Sequence, residues 1–139
     1  AAVMVSNCGM PRDMYLKRLI QHLGADLVHS YGRCLHNRDF PDEEGPRGLL
    51  NSPTLAVLRG YKFAVAFENH YSHDYVSERF YQPLLAGAVP VYLGAPNVQE
   101  FAPGEDAYVD VRAYPSPEDL GDYLLRVGAD EEAYARFHR

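Results

Sequence analysis

The sequence predicts an α/β domain with an open, parallel β-sheet, and three observations support this fold class. Short apolar segments alternate with segments of helical periodicity in the order βαβαβαβα. Two of them, "KFAVAFE" and "VPVYLG", are almost continuously apolar, which is typical of parallel strands buried on both faces. The 139 residues, 47% of them hydrophobic, suffice for one compact domain with a core.

The first half of the chain contains two predicted strands and two predicted helices. "AAVMVS", residues 1 to 6, predicts the first strand, and "ADLVHSYG", residues 25 to 32, predicts the second. Residues 12 to 23 predict a helix, because apolar side chains recur at helical spacing: Met14, Leu16, Leu19, Ile20 and Leu23. Residues 33 to 53, rich in Pro, Gly and charge, predict a loop, and residues 54 to 59 a short helix.

The second half contains two further strands and two helices of this alternation, with a further strand candidate before the last helix. The strands are "KFAVAFE" at residues 62 to 68 and "VPVYLG" at residues 89 to 94, and the candidate is "AYVDV" at residues 107 to 111. The last predicted helix opens at "SPEDLGDYLLRVG", with Ser116 as its N-cap and Pro117 at its first position. Successive parallel strands joined by right-handed crossovers place their carboxyl ends at one edge of the sheet.

The helix predicted over residues 76 to 85 follows the most polar segment of the chain. Asp74 or Ser77 is expected to cap it, because each side chain carries an oxygen that accepts a backbone N–H bond. Three apolar side chains recur every four residues and are expected to face the sheet: Val76, Phe80 and Leu84. Pro83 has no N–H to donate and is expected to kink or loosen this helix.

The composition argues against several classes of protein. Nineteen acidic side chains face 13 Lys and Arg, a formal net charge of -6, which argues against a broad nucleic-acid surface. No apolar stretch reaches the ~20 residues that span a bilayer. The chain starts on a strand-like segment without methionine or the basic start of a signal peptide, and we expect it to be a piece of a longer protein.

Metal ligation is not expected from the spacing of the side chains. Cys8 and Cys34 are the two cysteines and form no C-x-x-C pair. The six histidines are scattered, and His70 and His73 alone fall in the polar segment before the predicted helix. We therefore predict no metal site.

The polar segment "ENHYSHDYVSER", residues 68 to 79, is the candidate functional site. It joins a strand to a helix, so it lies at the carboxyl edge of the sheet, where ligands of such folds bind. The helix start there favours an anion through its N–H groups and its dipole. A solvated loop with surface ion pairs is the alternative interpretation for these side chains: Glu68, Asn69, Asp74, Glu78 and Arg79.

The stretches "YKFAVAFEN" and "DYVSERFYQPLLAGAVPVYLGAPNVQEFAP" resemble the donor-binding motif of the α-1,3-fucosyltransferases of glycosyltransferase family 10. "VSNC" and "SYGRCLHN" resemble upstream segments of that family, so the similarity spans residues 3 to 125. The motif is most similar to eukaryotic members, the plant Lewis-type and animal protein O-fucosyltransferase-like enzymes. The resemblance implies that residues 1 to 139 are the carboxyl-terminal, Rossmann-like half of a GT-B enzyme. The acceptor-binding amino-terminal domain would then lie outside this chain.

The resemblance implies an inverting transfer of L-fucose from GDP-fucose to a hydroxyl of a glycan or glycoprotein. It assigns the pyrophosphate contacts to two cations, Arg12 and Arg79. It assigns hydrogen bonds to ribose, phosphates and fucose to Asn69, Tyr75 and Glu78, with Ser6 and Ser77 near the phosphates. Arg79 and Glu78 are the expected catalytic residues of this chain, because Arg79 stabilises charge on departing GDP and Glu78 faces the fucose.

Two positions depart from the family's pattern. The family usually carries Lys where this chain has Arg79, which keeps the charge but replaces a point charge with a planar fork. Ala64 stands where several relatives carry a tyrosine near the guanine. The chain also has no D-x-D carboxylate pair, and we expect no cofactor and no obligatory metal. A non-catalytic nucleotide-sugar-binding module remains the alternative function.

The resemblance also bears on compartment and cysteine chemistry. It implies the lumenal part of a Golgi type II membrane protein, and an isolated chain that is inactive without its amino-terminal half and catalytic base. Cys8 and Cys34 each follow one of two successive parallel strands, so they are expected near each other at one sheet edge. A lumenal compartment would permit a disulfide between them, and two free thiols are the alternative.

Overall fold

The computed structural model describes residues 1 to 4, 9, 11 to 39, 53 to 104 and 106 to 138. Within these residues the chain forms five strands: β1 (Ala2–Val3), β2 (His29–Ser30), β3 (Phe63–Phe67), β4 (Val89–Leu93) and β5 (Val109–Asp110). Five helices accompany them: α1 (Pro11–Leu23), α2 (Pro53–Leu58), α3 (Glu78–Ala86), α4 (Pro117–Gly128) and α5 (Glu131–Ala135). The α/β architecture is therefore confirmed.

The sheet is entirely parallel, as predicted, and its strand order is β2-β1-β3-β4-β5. The chain moves from β1 outwards to β2 and then returns across β1 to β3, so connections leave β1 and β3 in opposite directions. In open sheets of this kind, the crevice for a ligand forms at that reversal, outside the carboxyl ends of the strands.

Strand β3 separates the two faces of the domain because its side chains alternate in size. Phe63, Val65 and Phe67 belong to the main core cluster, in which α1 and α4 cover one face of the sheet. Ala64 and Ala66 point to the opposite face, where α2 and α3 pack on each other. Large side chains thus fill one face, and small ones leave room on the other.

Several observed boundaries differ from the predicted ones. Helix α3 begins at Glu78 rather than at residue 76, because Ser77 is its N-cap, with an extended backbone and an Oγ that accepts a bond from the N–H of Arg79. The expected side chains, Val76, Phe80 and Leu84, do pack against the sheet. The helix continues through Pro83 to Ala86 and ends at Gly87, whose φ of 82° suits a glycine.

The edge and the carboxyl terminus add features beyond the predicted element order. Strand β2 is an edge strand, and Asn37 folds back beside it, so that its Oδ1 accepts the outer N–H of Ser30 at 2.7 Å. Helix α5 follows α4 after a cap by Asp130, whose Oδ1 accepts the N–H groups of Glu132 and Ala133, each at 3.1 Å. None of the helices that the structure describes is long and apolar enough to cross a membrane.

Cys34 is buried at 4% exposure and is disulfide-bonded. Its predicted partner, Cys8, lies outside the described residues, so the pairing and the proximity of the two cysteines stay predictions.

Candidate functional site

A cavity of about 250 Å³ lies beside β1 and β3, between α2 and α3, and reaches the first turn of α3. Its floor is the small-residue face of the sheet, with Ala2 from β1 and Ala64 from β3. Its wall on the α3 side includes Glu78, Arg79 and Gln82. The cavity exists because two neighbouring strands carry alanine where a larger side chain would fill the space. Two predicted site residues therefore border one space, on the first turn of α3.

Glu68 is the most buried polar group of this region, with 0% exposure. It continues β3 by one residue, since its N–H donates to the carbonyl of Leu93 at 2.8 Å. Its carboxylate accepts hydrogen bonds from the Ser77 N–H at 2.6 Å, the Ser77 hydroxyl at 2.5 Å and the Tyr92 hydroxyl at 3.1 Å. The interpretation of Glu68 as a solvated loop residue is therefore wrong.

Two arginines approach each other at this edge of the sheet. Arg12, from the first turn of α1, is 2% exposed, and its Nη1 donates to the carbonyl of Phe67 at 2.9 Å. Burial lowers the pKa of Arg12, and the charge of Arg79 lowers this pKa further. Arg79 lies 3.7 Å from Glu68, measured from Nη1 to Oε1, and its side chain is 27% exposed. Two cations so placed favour an anionic ligand between them.

The other predicted site residues differ in whether they keep a group for a ligand. Asn69 has a buried Oδ1 that accepts no hydrogen bond. Tyr75 is 38% exposed, and its ring packs edge-on against His70 with centroids 5.8 Å apart. Ser77 is already engaged, because its hydroxyl donates to Glu68 and caps α3. Ser6 lies outside the described residues.

Asn97 is a residue that the sequence interpretation missed. It follows β4, is 5% exposed, and its Oδ1 accepts the N–H of Asp74 at 2.9 Å. Its Nδ2 donates to the carboxylates of Asp74 at 2.7 Å and Glu100 at 2.9 Å. Asp74 has a φ of 66°, so these bonds stabilise a backbone turn that favours glycine. Asp74 is thus a turn residue held by Asn97, and the helix cap is Ser77 alone.

His73, Asp74 and Glu100 form a group whose ligand atoms all lie within 4.8 Å of one another. All three side chains are exposed, and the amide of Asn97 lies among them as a hydrogen-bond donor. The amide therefore accounts for the closeness of the two carboxylates.

Glu68 and its partners could have been found from strand alternation. Ala64, Ala66 and Glu68 occupy alternate positions, so the carboxylate continues the face that α3 covers. Tyr92 pairs with Ala66 in register on β4 and therefore faces the same side. A polar residue at the end of such a row is predicted to be buried beneath the next helix rather than solvated.

Comparison with known proteins matches residues 1–139 to the model of the glycosyltransferase family 10 (fucosyltransferase) C-terminal domain. GDP-fucose protein O-fucosyltransferase 3 of Xenopus tropicalis is 37% identical over 139 residues, which are 98% of this chain and 29% of that protein. Its human counterpart is 33% identical over 135 residues, 95% of this chain and 28% of that protein. Alpha-(1,3)-fucosyltransferase B of Drosophila melanogaster is 33% identical over 131 residues, 92% of this chain and 29% of that protein.

The fold also matches solved structures of an alpha1,3-fucosyltransferase, including one with GDP-fucose, at a TM-score of 0.78 and 20% identity. These matches cover 98% of this chain but 35% and 37% of those chains. The chain thus spans less than a third of the length of the curated relatives that it matches.

Proposed function

We propose that this chain, which belongs to glycosyltransferase family 10, the fucosyltransferases, and matches its C-terminal domain, supplies the GDP-fucose site of an inverting fucosyltransferase. The observation that carries the proposal is the convergence of Arg12, Arg79 and the start of α3 at the carboxyl-edge reversal. A diphosphate carries the charge that two arginines and a helix start stabilise together. The structural relatives with GDP and with GDP-fucose support the same class of ligand.

The proposed reaction breaks the bond between the fucose anomeric carbon and the β-phosphate oxygen. The electron pair stays on GDP, and the acceptor hydroxyl oxygen forms the new bond to the anomeric carbon from the opposite side. Arg12 and Arg79 stabilise the negative charge that develops on GDP, so the leaving group needs no proton. Glu78 lines the cavity on the first turn of α3, where its carboxylate would face a positively charged anomeric centre or a fucose hydroxyl.

The acceptor proton must go to a base, and we assign none in this chain. The base and the acceptor site belong, in this proposal, to an amino-terminal domain of the complete protein. The acceptor is a glycan or glycoprotein hydroxyl. The arginines replace a divalent metal at the pyrophosphate, and the complete protein acts in the Golgi lumen as a type II membrane protein.

Calorimetric titration of the chain with GDP, GDP-fucose and UDP tests the donor site. We expect binding of GDP and GDP-fucose, weaker binding of UDP and little or no fucose transfer by this chain alone. Failure to bind either guanine ligand would refute the donor site. Efficient transfer to a glycan by these 139 residues would refute the two-domain arrangement. If the complete protein binds GDP-fucose but transfers no fucose, the chain is instead a non-catalytic nucleotide-sugar-binding module.

A further inference from the structure

Glu68 is a buried carboxylate that the proposed reaction does not use. Its side chain is 0% exposed, and its oxygens accept three hydrogen bonds, two from Ser77 and one from Tyr92. A buried carboxylate costs free energy unless such donors surround it. The donors here tie the end of β3 to β4 and to the residue that caps α3.

The Ser77 hydroxyl connects Glu68 to Arg79. A hydroxyl has one proton, and Ser77 donates it to Glu68 at 2.5 Å. Its lone pairs are therefore directed away from Glu68, and Oγ accepts the backbone N–H of Arg79 at 3.2 Å and its Nη1 at 3.4 Å. Glu68 Oε1 also attracts Nη1 directly, from 3.7 Å. One carboxylate thus orients both the backbone and the guanidinium of Arg79.

The space around Glu68 is built to hold this orientation. A Cβ atom at Gly94 would lie 2.4 Å from Glu68 Cγ and 2.5 Å from the Tyr92 hydroxyl oxygen, so the two side chains occupy the room that glycine leaves. Burial raises the pKa of Tyr92, which therefore keeps its proton and donates it to Glu68. The carboxylate is therefore confined to the position in which it binds Ser77.

We propose that Glu68 is a positioning residue of the donor site: through Ser77 it fixes Arg79 in the orientation that contacts the diphosphate, without touching the donor itself. The proposal rests on the proposed function, because it assumes that Arg79 binds the diphosphate. It also predicts the direction in which GDP affinity changes when the charge of Glu68 is removed, and this direction is opposite to the one expected from charge repulsion alone. Removal of a negative charge near an anion should strengthen anion binding, whereas loss of the positioning bonds should weaken it.

The test is a double-mutant cycle on the chain, read by calorimetry with GDP and with guanosine. We expect Glu68→Gln to weaken GDP binding at least ~10-fold, because bonds to a charged group are lost. Guanosine binding should change less than about twofold, since guanosine lacks the diphosphate. In the Arg79→Ala background, Glu68→Gln should cause no further loss of GDP affinity.

If Glu68→Gln does not fold, substitutions at Ser77 test the same hydrogen bonds between Glu68 and Arg79. Ser77→Ala should weaken GDP binding in the same selective way, and Ser77→Thr, which keeps a hydroxyl, should restore most of the affinity. Glu118→Gln is the matched control, because Glu118 forms an exposed ion pair with Arg18 at 2.8 Å. The control should leave binding of both ligands unchanged.

The outcomes separate this proposal from the proposed function. A wild-type chain that binds no GDP would overturn both. Wild-type binding combined with unchanged or tighter GDP binding by Glu68→Gln would overturn the positioning role alone. So would equal losses for GDP and guanosine, or additive losses in the double mutant.

Discussion

Helices α3 and α4 begin with the same type of N-cap, but the hydroxyl groups of the two caps donate to different partners. Each has a serine N-cap and follows a parallel strand at the carboxyl edge of the sheet. Ser116 forms a reciprocal pair within α4, since its Oγ accepts the Asp119 N–H at 3.1 Å and donates to the Asp119 carboxylate at 2.9 Å. Ser77 gives its proton instead to Glu68, a residue at the end of β3. The start of α4 is completed locally, whereas that of α3 depends on tertiary structure.

The first turns of α3 and α4 also differ in charge. Helix α4 begins with Glu118 and Asp119, which suit the positive end of a helix dipole. Helix α3 begins with Glu78 but carries Arg79 at its second position, where a cation is unfavourable for the helix. The first turn of α4 thus suits its own helix dipole throughout, whereas that of α3 keeps a cation that the proposed diphosphate would pair with.

Arg79→Ala should produce the largest effect. If the proposed function holds, we expect the turnover of the complete protein to fall by ~100-fold or more, because the cation proposed to stabilise departing GDP is lost. The melting temperature should change little, because Arg79 is partly exposed and the buried Glu68 carboxylate keeps its hydrogen bonds from Ser77 and Tyr92 without it. Arg112→Ala is the matched control. Asp110 is the N-cap of a short 3-10 helix, Val111–Ala113, and Arg112 lies two residues after this cap and pairs with it at 3.1 Å. Unchanged kinetics of Arg79→Ala would remove this arginine from the site.

Gly94→Ala should lower the free energy of unfolding by about 1–3 kcal/mol, because the new methyl group overlaps two buried side chains. Gly121→Ala in α4 should cost less. Its Cβ would lie 2.9 Å from Cδ2 of the exposed His22, which can turn away, although Leu23 at 3.2 Å must shift slightly. The helix itself gains about 1 kcal/mol from alanine. Urea unfolding of both variants measures the difference, and equal losses would contradict the special packing of Gly94.

Ser116→Ala should cost about 1 kcal/mol of stability, because it removes a helix cap. Ser77→Ala should cost somewhat more, because it also leaves the buried Glu68 carboxylate with one donor fewer. Only Ser77→Ala should also weaken GDP binding, since Ser77 alone is linked to Arg79. Thermal unfolding and calorimetry on the same two preparations provide the comparison. Equal GDP affinities for the two variants would show that the two caps have the same role.

The smallest expected effect concerns the exposed pair at the start of α4. Hydrogen bonding to Arg18 lowers the pKa of Glu118 below its ordinary value of 4.5. Because the folded-state pKa is the lower one, the pair contributes stability above pH 4.5, and this contribution is lost as the pH falls through the folded-state pKa. Glu118→Gln should therefore make stability slightly less pH-dependent below pH 4.5, in unfolding curves taken at several pH values. An unaltered pH dependence would mean that solvent screens the pair completely.

The features of α4 that the sequence predicts are those encoded locally. Ser116, Pro117 and the acidic first turn stand next to each other, so propensity and capping rules locate the helix start correctly. The start of α3 is displaced from residue 76 to Glu78, because Glu68 binds Ser77 from nine positions earlier. Periodicity within a helix carries no information about a contact of that kind.

The candidate site divides in the same way. Its position at the carboxyl edge follows from the order of elements, and the family match confirms the resemblance from which the site residues were assigned. The roles of those residues, Arg79 among them, stay predictions. The alternation along β3 places Glu68 on the face that α3 covers, so its burial could be predicted. Its bond to Ser77 and the support of Asp74 by Asn97 depend on how the segment between β3 and α3 folds back on the sheet, and spacing along the chain does not reveal that path.

Because large and small side chains alternate along β3, substitutions on its two faces have separate effects. Exchanges at Phe63, Val65 or Phe67 alter how tightly the α1 and α4 layer is held, whereas an exchange at Ala64 alters how much room remains beside α3. Single substitutions at Ala64 can therefore change the width of this cavity without loosening the packing on the opposite face. In a saturation scan of β3, the effect of substitutions should alternate from one position to the next. Substitutions at Phe63, Val65 and Phe67 should mainly reduce folding stability, whereas substitutions at Ala64 should mainly change the size of ligand that fits.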